Sequence, residues 1–207
     1  MKRLIVVLLT VALVFSATGA STSTKSVRLV LTPAQVRTLE TARRLQVTDQ
    51  ALGKTLQRTV MLLGLQETLM GEHGKNADGV VVGDKHFPFG RRSYGKWQMR
   101  LSAAKDTLQR HPEMDRFGSD EGLIGALLYN DQFAANMCAL HFSWLYQKSG
   151  RNWKRAVLAY NRGLEGSRAG SDPNNYLAGI KDLEVRVLKP FLRGEYAVAS
   201  HWKPHAQ

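Results

Sequence analysis

The segment Val60-Met61-Leu62-Leu63-Gly64-Leu65 carries no polar side chain over more than a full helical turn. A helix without a solvated face cannot lie on a protein surface, so this one must be buried on most sides, with other elements wrapped around it. Leu52 and Leu56 extend the apolar pattern backwards to Thr48-Asp49, which reads as the helix start. Gly71 and Gly74 read as its end.

The wrapping elements are legible on both sides. Thr32 offers a capping hydroxyl, Pro33 suits the first helical position, and Gln35 follows the cap by three residues, which predicts a helix over 33–45. Downstream, helices are predicted over 102–110, 120–130, 131–148, 152–161 and roughly 174–192, punctuated by Pro112, Gly118, Gly150 and a loop at 163–173. Residues 26–31 alternate as one short strand, and 74–92 reads as a loop with Val80-Val81-Val82 as one arm of a small hairpin. The expected class is all-α, or α+β only in the sense of that minor β-hairpin.

Lys2-Arg3, an apolar run over 4–15 and the small residues Ala17-Thr18-Gly19-Ala20 have the three parts of a secretory signal peptide. The run is short for a membrane span. The expected organisation is therefore a signal peptide at 1–20, an N-terminal extension at 21–48, a main helical domain at 49–192 and a C-terminal tail at 193–207. The expected location is outside the cytoplasm, in a periplasm or cell-wall compartment. Against 17 acidic residues stand 29 Lys and Arg, a formal charge of +12, which predicts a polyanionic partner. Export makes nucleic acid a poor candidate and confines membrane contact to the export signal. The single cysteine, Cys138, lies in an apolar run and is expected to be a buried small hydrophobe. The six histidines form no helical pair with metal-ligand spacing, so a zinc amidase or peptidase is not expected. The basic residues Arg151, Lys154 and Arg155 beside Trp153 read as a solvated helix face.

Three short motifs carry the candidate chemistry: Gln66-Glu67-Thr68-Leu69-Met70-Gly71, Ser93-Tyr94-Gly95-Lys96-Trp97-Gln98-Met99 and Leu158-Ala159-Tyr160-Asn161-Arg162-Gly163. In the first, a carboxyl group at the end of an apolar helix is poorly solvated, which raises its pKa and suits it to general-acid work. A Glu on the solvated face of an amphipathic helix would satisfy the same position. In their order, the motifs resemble the lytic transglycosylases of the lysozyme-like superfamily: a Glu-Ser or Glu-Thr pair ending a buried helix, then Gly-x-x-Gln, then Ala-Tyr-Asn-x-Gly. Asn136-Met137 resembles the Asn-Ile of the helix before the last motif, and Tyr176-Leu177 the Tyr-Val of the closing helix. The resemblance spans roughly residues 56–183.

The resemblance implies a lysozyme-like fold and cleavage of the β-1,4 bond between N-acetylmuramic acid and N-acetylglucosamine in peptidoglycan, leaving 1,6-anhydro ends. It implies Glu67 as the catalytic acid and then base, with Thr68, Ser93, Gln98, Tyr160, Asn161 and Tyr176 along the glycan groove. It implies no metal and no cofactor. Two features depart from the pattern. Thr68 stands where Ser is commonest, and the segment from Glu67 to Gln98 is longer than usual, the excess falling at 79–92. Asp78 and Asp84 in or beside that excess offer a second carboxylate, which a hydrolytic muramidase would use to activate water. Glu72 is a rival for the position of Glu67, though Gly71 interrupts the helix before it. Trp97 is read either as core packing or as a sugar platform. A non-catalytic murein-binding component is the remaining alternative.

Overall fold

The computed structural model describes residues 29–72, 82–83, 88–168, 172 and 174–199. The expected signal peptide, and Asp78 and Asp84, lie outside the described residues. The fold is mostly helical with a small amount of sheet. Helix α1 spans Pro33–Arg43, α2 Lys54–Thr68, α3 Leu101–Arg110, α4 Asp120–Tyr129, α5 Asp131–Lys148, α6 Trp153–Arg168 and α7 Tyr176–Leu183, followed by a π-helical turn at Glu184–Leu188 and a short α8 at Lys189–Leu192.

Helix α2 is the central element, in contact with α1, α5 and α7. Every residue of 59–65 is buried. The glycine within this apolar run is explained by a crossing. A Cβ on Gly64 would come within 2.7 Å of the Met70 sulfur and 2.9 Å of the Trp97 indole nitrogen. Trp97 is 1% exposed, and its Nε1–H donates to the Val60 carbonyl at 2.9 Å, so it is a core residue and not a platform. The helix starts later than Thr48-Asp49. The Asp49 carboxylate accepts from the amides of Ala51 and Leu52, holding a turn there, and Gly53 at φ +49° then turns the chain into α2.

At the other end of α2 the chain turns back through three consecutive positive-φ residues, Leu69 (+48°), Met70 (+59°) and Gly71 (+92°). This closure spends the free carbonyls of the helix end: Met70 N–H donates to Gly64 O and Leu69 N–H to Leu65 O.

The predicted capping box at Thr32 and Gln35 is present. Strands β2 (Val82–Gly83), β3 (Ser93–Tyr94) and β4 (Met99–Arg100) form a three-stranded antiparallel sheet with β3 in the middle. Of the expected arm Val80-Val81-Val82, only Val82 lies among the described residues, and there the inserted segment supplies β2 as one edge of the small sheet. Strand β1 (Leu29–Leu31) pairs in parallel with β5 (Tyr196–Val198), Leu29 opposite Tyr196 and Leu31 opposite Val198. Leu31, Leu39 and Ala42 belong to the same buried cluster as α2 and α5. Over its described part, the expected N-terminal extension is thus built into the domain. The expected C-terminal tail likewise contributes β5 to it.

Part-buried polar links fix α1 against the rest. Lys96 Nζ donates to Asp131 Oδ2 at 2.5 Å and to Thr38 Oγ1 at 2.7 Å, tying the β3–β4 turn to α5 and α1. Asn136, singled out by its motif, is buried and bonded to the backbone and side chain of Gln46. It anchors the loop after α1.

Candidate functional site

A cleft of about 440 Å³ opens between the end of α2, the small sheet, α3, α5 and the middle of α6. Its walls bring together residues from all three sequence motifs: Glu67, Ser93, Gln98, Tyr160 and Asn161.

Glu67 is half-buried in the last turn of α2. Its Oε1 accepts a hydrogen bond of 2.5 Å from the Tyr176 hydroxyl, donated from the first residue of α7. Burial, followed by the proximity of Glu67, pushes the Tyr176 phenol well above its ordinary pKa, so it keeps its proton and remains a donor to the carboxyl. Tyr176 is 6% exposed and does not line the cleft. The expectation that it binds substrate is corrected: it positions Glu67.

Thr68 is corrected in the same way. It is 2% exposed, its hydroxyl donates to the Lys96 carbonyl at 2.7 Å, and it accepts from Gly71 N–H at 2.8 Å. The side chain next to the carboxyl therefore braces the β3–β4 turn from behind and is absent from the cleft lining.

That turn presents Gln98. Its backbone is left-handed at φ +46°, an uncommon state for a residue with a Cβ, held by Gln98 N–H donating to Gly95 O at 3.0 Å. The side-chain amide donates to the same carbonyl at 2.9 Å. Its Oε1 lies so close to Gly83 that a Cβ there would come within 1.8 Å. The inserted segment thus touches the cleft through β2, which lies against Gln98.

Tyr160 lines the cleft, but its hydroxyl proton is committed to the Trp97 carbonyl at 2.7 Å. Burial pushes the Cys138 thiol up to about 12, so Cys138 is the inert buried group expected of it. Asn161, one residue on, is exposed and free to meet a ligand with both donor and acceptor.

Helix α6 does not stop at residue 161. Gly163, at φ +77° and ψ +166°, kinks it, and helical structure resumes to Arg168. Gly163 and Leu164 then form part of the cleft wall.

Sequence reasoning missed the opposite wall, made by Asp106 on α3 and His141 and Trp144 on α5. The His141 and Trp144 rings stack at 5.9 Å between centroids, and the Arg110 guanidinium sits 4.4 Å over Trp144. Burial first, and then the Arg110 charge, bring His141 down to about 4, so it is neutral at neutral pH. The i, i+3 spacing of His141 and Trp144 placed them on one helix face, but nothing in the sequence marked that face as open. Glu72, the rival carboxylate, accepts from the Thr32 hydroxyl at 2.8 Å and is not part of the cleft.

Among the described residues no group of three His, Cys, Asp or Glu side chains is arranged to hold a metal ion. Among the same residues no helix is long and apolar enough to cross a membrane. Comparison with known proteins finds no family model that matches the chain, and no curated protein or solved structure significantly similar to it.

Proposed function

We propose that the protein is a peptidoglycan lytic transglycosylase with a lysozyme-like domain. The observation that carries this reading is the convergence of Glu67, Ser93, Gln98, Tyr160 and Asn161, drawn from three separated motifs, on one cleft. A cleft of about 440 Å³ is within the usual range for small-ligand sites.

In this mechanism Glu67 protonates the oxygen bridging C1 of N-acetylmuramic acid and O4 of N-acetylglucosamine. The C1–O4 bond breaks, and the 2-acetamido oxygen of the muramic residue closes on C1 to hold the positive charge. Glu67, now a carboxylate, takes the proton from the 6-hydroxyl of the same sugar. O6 then bonds to C1, the acetamido group is released, and a 1,6-anhydro ring results. One carboxyl serves as acid and then as base, the substrate-assisted alternative to a pair of carboxylates. Tyr176 holds one carboxyl oxygen throughout. Asn161 is the group available to the acetamido amide, and Gln98 and Ser93 flank the neighbouring sugar.

A second reading, hydrolytic muramidase, is favoured by one observation: Asp106 lines the same cleft and supplies a second carboxylate. Murein digested by the purified protein separates the two by mass spectrometry of the products. Anhydro ends are expected. Reducing ends alone would assign hydrolysis, and cut peptides on intact glycan would reject both readings.

Tyr176→Phe removes only the donor to Glu67, since the ring remains to fill its buried site. Turnover is expected to fall about 10- to 100-fold, part of the 10²–10⁴ that a positioned acid supplies. KM should be unchanged, because Tyr176 lies outside the cleft lining. A rise in KM at constant turnover would return Tyr176 to the substrate-binding role.

A further inference from the structure

A second, smaller pocket of about 180 Å³ lies beside the cleft and shares Leu164 with it. Three cationic side chains line it: Lys148 from the end of α5, Arg155 from the first turn of α6 and Arg168 from the far end of α6. Lys148 and Arg155 flank the short α5–α6 connection, and the kink at Gly163 places Arg168, at the end of α6, in the same pocket. The pocket has no carboxylate in its lining, and none of the three cations belongs to an ion pair among the described residues. Converging positive charges repel one another, and an anion between them reverses that cost.

Two hydroxyls complete the lining. Ser167 Oγ donates to the Leu164 carbonyl at 2.7 Å. Ser149 Oγ is buried yet has no hydrogen-bond partner among the described residues. At about 180 Å³ the pocket holds roughly six water volumes at 30 Å³ each, too little for a disaccharide and enough for a carboxylate with some of its hydration.

We propose that this pocket binds a carboxylate of the peptide substituent carried by the glycan strand. The identity of that anion rests on the function proposed above; the anion site itself rests on the three cations and on the absence of any carboxylate from the pocket lining. Leu164 forms the partition between the sugar cleft and the cationic pocket, so a strand seated in the cleft can direct a flexible charged branch over it. Arg155 and Arg168 offer planar forks suited to two-oxygen recognition of a carboxylate, and Lys148 adds a mobile point charge.

The test uses Glu67→Gln protein, which should bind without cleaving, and the same protein carrying Arg155→Gln and Arg168→Gln. Amide NMR shifts of Ser149 and Gly150 report the pocket, and that of Asn161 reports the cleft. Disaccharide-peptide and the isolated peptide should both shift Ser149 and Gly150, with affinity about tenfold weaker in the charge-neutralised protein. Absence of those shifts, or affinity unchanged by the two substitutions, would overturn the proposal. So would inorganic phosphate binding as tightly as the peptide, which would make the pocket a site for free phosphate. Peptide-free disaccharide should shift Asn161 alone. If it does not, the glycan reading of the cleft fails while the result at Ser149 still decides the anion site.

Discussion

Glu67→Gln is expected to lower glycan cleavage by about 10³-fold while the protein stays folded. The substitution keeps the shape of the side chain and an oxygen able to accept from Tyr176, but an amide cannot pass a proton to the bridging oxygen and take another from the 6-hydroxyl. Thermal unfolding should show a change of no more than about 1 kcal/mol, the ordinary scale of one altered hydrogen bond. Glu72→Gln is the matched control. Its side chain accepts from Thr32 at the start of α1, an interaction a Gln oxygen can keep, and it stands outside the cleft. Most activity should survive in that variant. The opposite pattern, an active Glu67→Gln and a dead Glu72→Gln, would move the catalytic carboxyl to the other side of the α2 terminus.

Gly95→Ala is expected to cost about 3 kcal/mol of stability, a large share of the 5–15 kcal/mol that holds a typical domain. Two effects add at this position. Gly95 has φ +73°, where an L-residue costs roughly 1–2 kcal/mol. Its Cβ would also sit 2.2 Å from the Leu127 carbonyl oxygen, a backbone atom near the end of α4 that cannot rotate away, adding an overpacking cost of about 1–3 kcal/mol. Gly118 separates the two contributions. It also has positive φ, at +56°, but has open space where a Cβ would stand. Gly118→Ala should therefore lose only about 1 kcal/mol in denaturant titrations. Equal losses at both sites would mean that backbone strain alone governs, and that the contact with α4 is unimportant. Because the Gly95 carbonyl holds both the backbone and the side chain of Gln98, Gly95→Ala should also weaken ligand binding in the cleft.

The helices were largely legible because their signals are local. The apolar run at 60–65, the box at Thr32 and Gln35, and the span 131–148 all correspond to observed elements. Boundaries failed where glycine has two uses. Gly163 reads as a helix terminator, yet the chain takes one left-handed step there and continues as helix to Arg168. At the site, the three motifs marked residues that meet in one cleft but not the directions of all their side chains. Thr68 and Tyr176 follow from the same motifs as Gln98, yet the first points into the core and the second reaches Glu67 from outside the cleft lining. Asp106, His141 and Trp144 were invisible because facing helices, not short motifs, bring them together. The parallel pairing of Leu29–Leu31 with Tyr196–Val198 had no local signal at all, since each strand owes its partner to the whole intervening fold.

That pairing bears on the order in which the molecule is completed. Ribosomes release a chain from its N-terminus, so β1 is the first described element to emerge and β5 the last. The helices between them can assemble on α2 while β1 still lacks a partner, its Val30 61% exposed even in the finished structure. A nascent chain therefore carries an open β-edge from the emergence of β1 until that of β5, and any interruption before residue 196 leaves that edge unpaired. Strand β5 acts as the clasp that closes β1.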